Sequence, residues 1–516
     1  MQNQLRNCVV GESKPSFVAG IRKGMPCWQA NCIPLQQSEA AVLIFSFLHE
    51  ARTVPPDPSI ARHVLLKDAL EQHRSGRLDE AAQCYRQILS SEPGHADCLH
   101  LLGMIAYQRG DAEQAVELIR RAIAIHGTAA SYYSNLGNVL QSQEKLGEAE
   151  DCYRRALALR PGQAEVHLNL GHILKAQGDV DAALNSYRSA RLLDPALAEA
   201  EVAESTALLV KGEFGAGWEG LEARWRTRDY DTRPRSFAQP CWEGDRIAPG
   251  RVLIWGEQGV GDEIMFAGLL RDVIARGNQC VLECDARLKP LFARSFPEVE
   301  VVSGYDPDLQ PGMGIVAQLP SGSLPGLFRR NLADFAATPS PYLVPDAEKV
   351  KRFRARYHDG RPLVGIAWHS NNKKSGHRRS IDLARLAPLF AQSGMRWVSL
   401  QYGDPMVIED QAHAAAVPLV IDAEVDQMTD LDSFAAQVAA MDLVVTIDNS
   451  TAHMAAALGV QTWTLLPSAP DWRWLLERED SPWYPTMRLF RQREPGRWEP
   501  VIEELAIALL SSMVRR

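Results

Sequence analysis

Ala130-Ser-Tyr-Tyr-Ser-Asn135-Leu-Gly137-Asn138-Val-Leu-Gln-Ser-Gln-Glu-Lys-Leu-Gly-Glu-Ala149-Glu-Asp-Cys-Tyr153-Arg-Arg-Ala-Leu-Ala-Leu-Arg-Pro161 decides the first half of the fold, because it repeats. Gly103, Gly137 and Gly171 recur every 34 residues, with Ala69 in register before them. Ala81, Ala115, Ala149 and Ala183 form a second column. Tyr85, Ile119, Tyr153 and Tyr187 form a third, and Pro93, Pro161 and Pro195 close three of the units. Small residues belong where two helices of a hairpin press together, large ones plug between hairpins, and proline stops the second helix. This is the tetratricopeptide period. It predicts hairpins over 62–95, 96–129, 130–163 and 164–197, with a degenerate helical cap reaching about Trp225.

Such an array holds a segment of another protein in its concave groove. Asn135 and Asn169 stand one period apart, and Asn138 follows the glycine of its repeat. These positions fall on the first helix of each hairpin, the groove side. Side-chain amides both donate and accept, so a ladder of them pairs with an extended peptide backbone without reading its sequence. The pattern resembles the asparagine ladder in the repeats of protein O-GlcNAc transferases. Leu101 and Met104 replace it in the second repeat.

Outward from the repeats, composition narrows the field. A chain of 516 residues with 46% hydrophobic and 23% charged content is that of a globular protein with several domains. The net charge of −9 argues against a broad nucleic-acid or anionic-membrane surface. Nine scattered cysteines fit a reducing compartment and a cytoplasmic protein. Cys280 and Cys284 lack a second pair, so no metal site is expected. The longest apolar run, Ala40 to Leu48, is about half of what a membrane span needs. Residues 1–55 show no period and are expected to be a poorly ordered leader. The predicted domains are 56–228 for the repeats and cap, 229–345 for a first lobe and 346–516 for a second.

After a Pro-, Arg- and Trp-containing linker (Tyr230 to Gly250) the period changes. Apolar runs Val252–Trp255, Cys280–Glu283, Val299–Val302 and Gly314–Ala317 alternate with helical stretches. Past Ala337–Pro362 come Leu363–Trp368, Trp397–Leu400, Leu419–Ile421, Leu443–Ile447 and Thr462–Leu466. Continuous Val/Ile/Leu strands between helices predict parallel sheets buried on both faces. The expected fold class is a tetratricopeptide solenoid followed by two doubly wound, Rossmann-like α/β lobes. Their cleft lies at the carboxyl ends of the strands. The last helix, about Glu499 to Met513, is amphipathic and suits packing across either lobe.

Three motifs sit where that cleft is expected. The first lobe opens with Gly256-Glu257-Gln258-Gly259-Val-Gly261-Asp262, whose glycine spacing is not the dinucleotide fingerprint. Glycines let a ligand approach the backbone; Asp262 is either a functional acid or a cap for the helix it begins. The second lobe opens with Trp368-His369-Ser370-Asn371-Asn-Lys373-Lys374, then His377-Arg378-Arg379-Ser380. A strand emptying into a basic loop has the composition to hold a diphosphate, or is a solvated loop. The third is Asp448-Asn449-Ser450-Thr451-Ala-His453, a strand-to-helix junction suited to anions. There Asp448 would cap the turn or accept from sugar hydroxyls, and His453 alone reads more readily as a packed histidine. Aromatics cluster in Asp471-Trp472-Arg473-Trp474 and Trp483-Tyr484, either stacking on a ligand or sealing a seam. The Asp306-Pro-Asp308 pair lies away from the phosphate loops and is set aside.

In this order the motifs, with Asp471 through Pro485, resemble the heptosyltransferase-like family of GT-B glycosyltransferases, in the bacterial form preceded by tetratricopeptide repeats. The resemblance runs from about Arg62 to the C-terminus. It implies metal-independent sugar transfer, with Asp262 as general base and Gly256, Glu257, Gln258, Gly259 and Gly261 on the acceptor side. It implies a nucleotide-sugar held by His369, Ser370, Asn371, Lys373, Lys374, Arg378, Arg379, Asp448, Asn449, Ser450, Thr451 and His453. Arg378-Arg379-Ser380 stands where relatives have Asn-Arg-Ser, which leaves the phosphate-neutralising cation open.

Three functions follow as expectations. The first is a protein glycosyltransferase whose groove residues Asn135, Asn138 and Asn169 hold the acceptor, a flagellin or other surface protein. The second is transfer to a lipid-linked or polysaccharide acceptor, with the repeats docking a partner. The third is a non-catalytic repeat scaffold carrying a retired transferase domain.

Overall fold

The computed structural model describes residues 58–514 apart from 229, 231, 233, 305–310, 338, 339, 373, 374, 392 and 393. The stretch 1–55, the Asp306/Asp308 pair, and Lys373 and Lys374 therefore lie outside the described residues. Ten helices succeed one another along the first part of the described residues, eight of them paired as hairpins. They are α1 (Pro58–Arg74) with α2 (Leu78–Ser91), α3 (Ala96–Gln108) with α4 (Ala112–Ile125), and α5 (Ala130–Ser142) with α6 (Leu146–Leu159). Next come α7 (Ala164–Ala176), then α8 (Val180–Leu193), and α9 (Ala198–Val210) paired with α10 (Phe214–Leu221). The chain divides into two compact units, Met1–Ile173 and Leu174–Arg516.

In the first unit the repeat columns form the core. Ala81, Ala115 and Ala149, with Tyr85, Ile119 and Tyr153, are fully buried. Each large plug contributes roughly 1.5–3 kcal/mol by leaving water. The glycine column is required by distance: a Cβ on Gly103 would stand 2.9 Å from Ile119 Cγ1, and one on Gly137 only 2.7 Å from Tyr153 Cε1. The turns inside the hairpins hold a further column at one-period spacing. Gly76, Gly110, Gly178 and Gly212 have φ of 80°, 89°, 94° and 83°, and Glu144 takes the same place at 58°. Only glycine enters this left-handed region without strain.

The second unit begins with the end of the solenoid. The α9–α10 hairpin starts one period after α7, but its small residues change sides. Ser205 occupies the glycine column of the first helix, and Gly217 and Gly220 on α10 make room instead. A Cβ on Gly217 would lie 2.6 Å from Leu209 Cγ, and one on Gly220 only 2.2 Å from Ser205 Oγ. A short 3-10 segment, Glu222–Arg226, closes the cap.

Two all-parallel sheets follow. The first contains β1 (Arg251–Trp255), β2 (Gln279–Glu283), β3 (Glu300–Val302) and β4 (Ile315–Pro320) in the order β3-β2-β1-β4. The second contains β5 (Leu363–Ala367), β6 (Arg396–Ser399), β7 (Leu419–Val420), β8 (Leu443–Ile447), β9 (Thr462–Leu466) and β10 (Met487–Arg491), ordered β10-β9-β8-β5-β6-β7. Every pair in it is parallel. Nine of these strands are legible in the sequence and β10 is not: in Met-Arg-Leu-Phe-Arg, Arg488 and Arg491 interrupt the apolar run and hide an edge strand. The expected linker laces along β4: Trp242 N–H donates to the Gln318 carbonyl at 2.8 Å, and Gln318 N–H to that of Pro240 at 3.0 Å. The last helix, Glu499–Val514, packs on the second sheet, with Val501, Ile502, Leu505 and Leu509 joining the core around Trp397 and Phe490.

Strand order reverses between β1 and β4 and between β5 and β8, and α/β sheets place their binding crevices at the carboxyl ends of strands at such points. All three loop motifs emerge there.

Candidate functional site

The first-lobe loop leaves β1 and enters the helix Val260–Ala267. Asp262 Oδ2 accepts from the Gly259 N–H at 3.3 Å, so this carboxylate does cap the helix start. Its other oxygen accepts from the Arg473 guanidinium, which also donates to Asp471 at 2.6 Å. Arg473 lies 4.1 Å from the centroid of the Trp472 ring. Burial disfavours its charge, but Asp262 and Asp471 hold it firmly protonated.

The remaining residues of this loop make contacts within the fold. Glu257 is buried and accepts from Arg224 Nε and Nη2, both at 3.0 Å, from the Gly322 N–H at 2.7 Å, and from the Tyr230 hydroxyl. This bidentate pair ties the helical cap to the first lobe. Gln258 donates to the Tyr230 oxygen at 2.7 Å. Gly256 and Gly261 allow close approach: a Cβ on Gly256 would stand 2.8 Å from Glu263 Oε1, and one on Gly261 3.2 Å from His453 Cδ2.

Gly261 therefore marks where the first-lobe helix abuts the second-lobe helix Ser450–Ala457. Tyr342 wedges them together. Its backbone N–H donates to the Ala457 carbonyl at 3.1 Å and its hydroxyl to that of Ile264 at 2.9 Å. Asn449 caps the second helix, accepting from Ala452 N–H at 3.3 Å and Thr446 Oγ1 at 3.0 Å. Ser450 is half-buried and Thr451 fully buried. His453 is buried, stacked on Trp474 at 5.2 Å, with Nδ1 2.8 Å from the Tyr484 hydroxyl. Burial, and then Arg473, push its imidazole down to about 3, so it is a neutral packing group.

The basic loop after β5 is held by neighbouring backbone and side-chain bonds. Gln401 Oε1 accepts from the N–H groups of Trp368 and His369, at 3.0 and 2.8 Å. Ser370 N–H donates to Ser380 Oγ at 2.9 Å and Asn371 N–H to the Tyr402 oxygen at 2.8 Å. His369, Asn371 and Arg378 are exposed. Arg379 turns inward and pairs with buried Asp448 at 3.1 Å. Burial pushes the Asp448 carboxyl up, opposed by Arg379; Arg473 holds Asp471 down against burial. Lys175, half-buried near Asp471, donates to Thr206 Oγ1 at 3.2 Å. Asp262, Asp448 and Asp471 thus face Arg379, Arg473 and Lys175.

The aromatics resolve as a seam. Trp218 of α10 meets Trp472 edge-on at 5.1 Å and Trp483 at 6.3 Å, and Phe335 packs on Trp483 at 4.9 Å. The sequence reading saw these tryptophans and missed Arg473 between them; an Asp-x-Arg triplet at a cleft edge was its only signal.

In the first unit, Asn135 Nδ2 lies 2.8 Å from His100 Nε2, and both it and Asn169 are half-buried. Asn138 differs from expectation. It is buried, and its carbonyl accepts from the Tyr153 hydroxyl at 2.7 Å and from Asn169 Nδ2 at 3.3 Å. It orients Asn169 and offers the groove nothing itself. Among the described residues no His, Cys, Asp or Glu cluster could hold a metal ion, and no helix is long and apolar enough to cross a membrane.

Comparison with known proteins supports the repeats. Tetratricopeptide-repeat family profiles match residues 66–130 and 127–194. A curated relative, Protein FlbA of Caulobacter vibrioides, is 32% identical over 329 residues, covering 60% of this chain and 54% of the relative. The chain thus spans about half the length of that relative. Similar solved structures include MamA (22% identity, 30% of this chain and 91% of MamA, TM-score 0.29). Another is YrrB, described as a TPR protein with an unusual peptide-binding site (20%, 32% of this chain and 86% of YrrB, 0.29). A third is pilF of Pseudomonas aeruginosa (20%, 32% of this chain and 76% of pilF, 0.30).

These findings overturn the expectation of a glycosyltransferase. The curated relative bears no transferase name, and the family profiles match only the repeats. The roles assigned to sugar transfer, with Asp262 as base and a nucleotide-sugar donor, fall with it. The geometry fits that outcome: the carboxylate meant to take a proton is held by Arg473, and Arg379, one of the four cations left open for phosphate, is held by Asp448.

Proposed function

We propose that this chain is a non-catalytic repeat scaffold that binds an extended segment of another protein. Its two α/β lobes keep the GT-B layout of a retired transferase. In this reading the repeats and cap occupy 56–228 and the lobes 229–345 and 346–516. A cytoplasmic setting belongs to it, supported by six free cysteines among the described residues.

The observation that carries the reading is the charge closure between the lobes. An ion pair already made competes with an incoming anion; here the two inward-turned arginines, Arg379 and Arg473, are matched by the lobes' own carboxylates, while Arg378 of the same loop is exposed. Binding falls to the repeats. Asn135 and Asn169 remain partly open to solvent on α5 and α7, with amides able to pair with a peptide backbone.

The test uses the full chain against a library of immobilised 12- to 15-residue peptides, about the length an extended groove ligand needs. Wild-type protein is expected to retain a subset, and the double variant Asn135→Ala/Asn169→Ala to retain it about tenfold more weakly, about 1.4 kcal/mol. Equal retention by both would remove the groove from the reading. Saturable binding of uridine diphosphate would remove the retired lobes.

A further inference from the structure

A cavity of about 160 Å³ lies between the cap and the first lobe. Leu221, Arg224, Phe266, Gly322 and Trp472 form its buried floor, and half-buried Val202, Thr206, Thr227 and Tyr230 its walls. Exposed Gln258 stands at the mouth. The cap, the start of the linker, the loop and helix after β1, the segment after β4 and the Trp472 corner of the second lobe enclose it.

Size and lining select the occupant. An apolar cavity of about 150 Å³ accepts a benzene ring, and this one is as large. Val202, Leu221, Phe266 and Trp472 supply apolar and aromatic wall. Charge is disfavoured, because Arg224 is already matched by Glu257 and Glu222, and a second buried charge would go unpaired. A single polar substituent is welcome. Gln258 and Tyr230 already bond each other at 2.7 Å, and a phenolic hydroxyl can extend that chain in place of water.

We propose that this cavity binds one neutral, six-membered aromatic ring with at most one hydroxyl, either as a free small molecule or as the side chain of a bound polypeptide. None of the residues that line the cavity is one of the groove amides Asn135 and Asn169, so its fate does not decide that reading, nor the reverse.

Ligand-observed NMR of phenol with the full chain tests it. Saturable binding is expected, weakened about tenfold or more by Val202→Phe, which fills the cavity from its wall. Gln258→Trp roofs the mouth from an exposed position and is expected to do the same, which keeps the test intact should Val202→Phe fail to fold. Benzoate, carrying a charge, is expected not to displace phenol. N-acetyl-tyrosinamide displacing phenol identifies a side chain as the natural source; phenol binding without that displacement identifies a free ring. Absence of saturable phenol binding, binding unchanged in folded Val202→Phe and Gln258→Trp, or displacement by benzoate at equal potency would each overturn the proposal.

Discussion

Arg473 and Asp262 form an ion pair across 211 positions of sequence, joining the helix start of the first lobe to the corner that follows β9 in the second. Both side chains are largely shielded, at 13% and 18% exposure. In a scaffold this pair is a brace. Asp262→Asn is expected to lower unfolding free energy by roughly 1–3 kcal/mol, since Arg473 keeps Asp471 as a partner. Peptide retention by the repeats should be unchanged. Denaturant unfolding alongside the peptide assay checks both.

Glu257 and Arg224 are a deeper version of the same device, at 0% and 2% exposure with a bidentate contact. Removing one member leaves an uncompensated buried charge. Arg224→Met is expected to cost about 3–5 kcal/mol. Because the pair spans cap and lobe, proteolysis should cut first within Tyr230 to Gly250; wild-type cleavage kinetics there would contradict a fastening role.

Glu144 is the non-glycine member of the turn column, at φ 58° where its counterparts are glycine. Glu144→Gly is expected to stabilise the repeats by about 1 kcal/mol. A rise in the midpoint of the helical circular-dichroism transition is the readout.

His100 is buried, stacked on Tyr132 at 4.5 Å, and pushed down to about 4 by burial. Asp97, bonded to the Tyr132 hydroxyl, opposes that shift, and His73 adds to it. Since the unfolded value is 6.5, the unfolded chain binds the extra proton first as pH falls. Stability is therefore present above pH 6.5 and lost as pH falls toward about 4. His100→Gln is expected to flatten that slope in urea melts from pH 7 to 4.

Glu263 runs the other way. Burial pushes its carboxyl up to about 7 from 4.5, with Asp285, Asp262 and Glu283 adding to the shift and the Asp285 N–H opposing it. Its contribution is fully present below pH 4.5 and lost as pH rises through 7. Glu263→Gln keeps an acceptor for that N–H and is expected to gain about 2 kcal/mol at pH 8 and nothing near pH 4.

Much of the fold was legible because it rests on local repetition. The columns through Ala81, Tyr85 and Gly103 announce helix spacing directly, and the Val/Ile/Leu runs announce buried parallel strands. The edge strand β10 was not, since its arginines break the apolar pattern. The candidate site was legible as three loops but not as a set of pairings. Asn138 and Asn169 look alike in sequence, yet the first is buried against Tyr153 and the second only half-buried.

By itself, then, the sequence determined the 34-residue repeat, the two runs of strands and the loops that end them, because periodicity and strand propensity act over neighbouring residues. Tertiary structure alone decided what the charged loop residues do. Whether Asp262 is a base or a brace, and whether Arg379 awaits a phosphate or satisfies Asp448, depends on partners brought near by folding. A charge is spent on whichever opposite charge lies closest, and that distance is not written in the spacing of the chain.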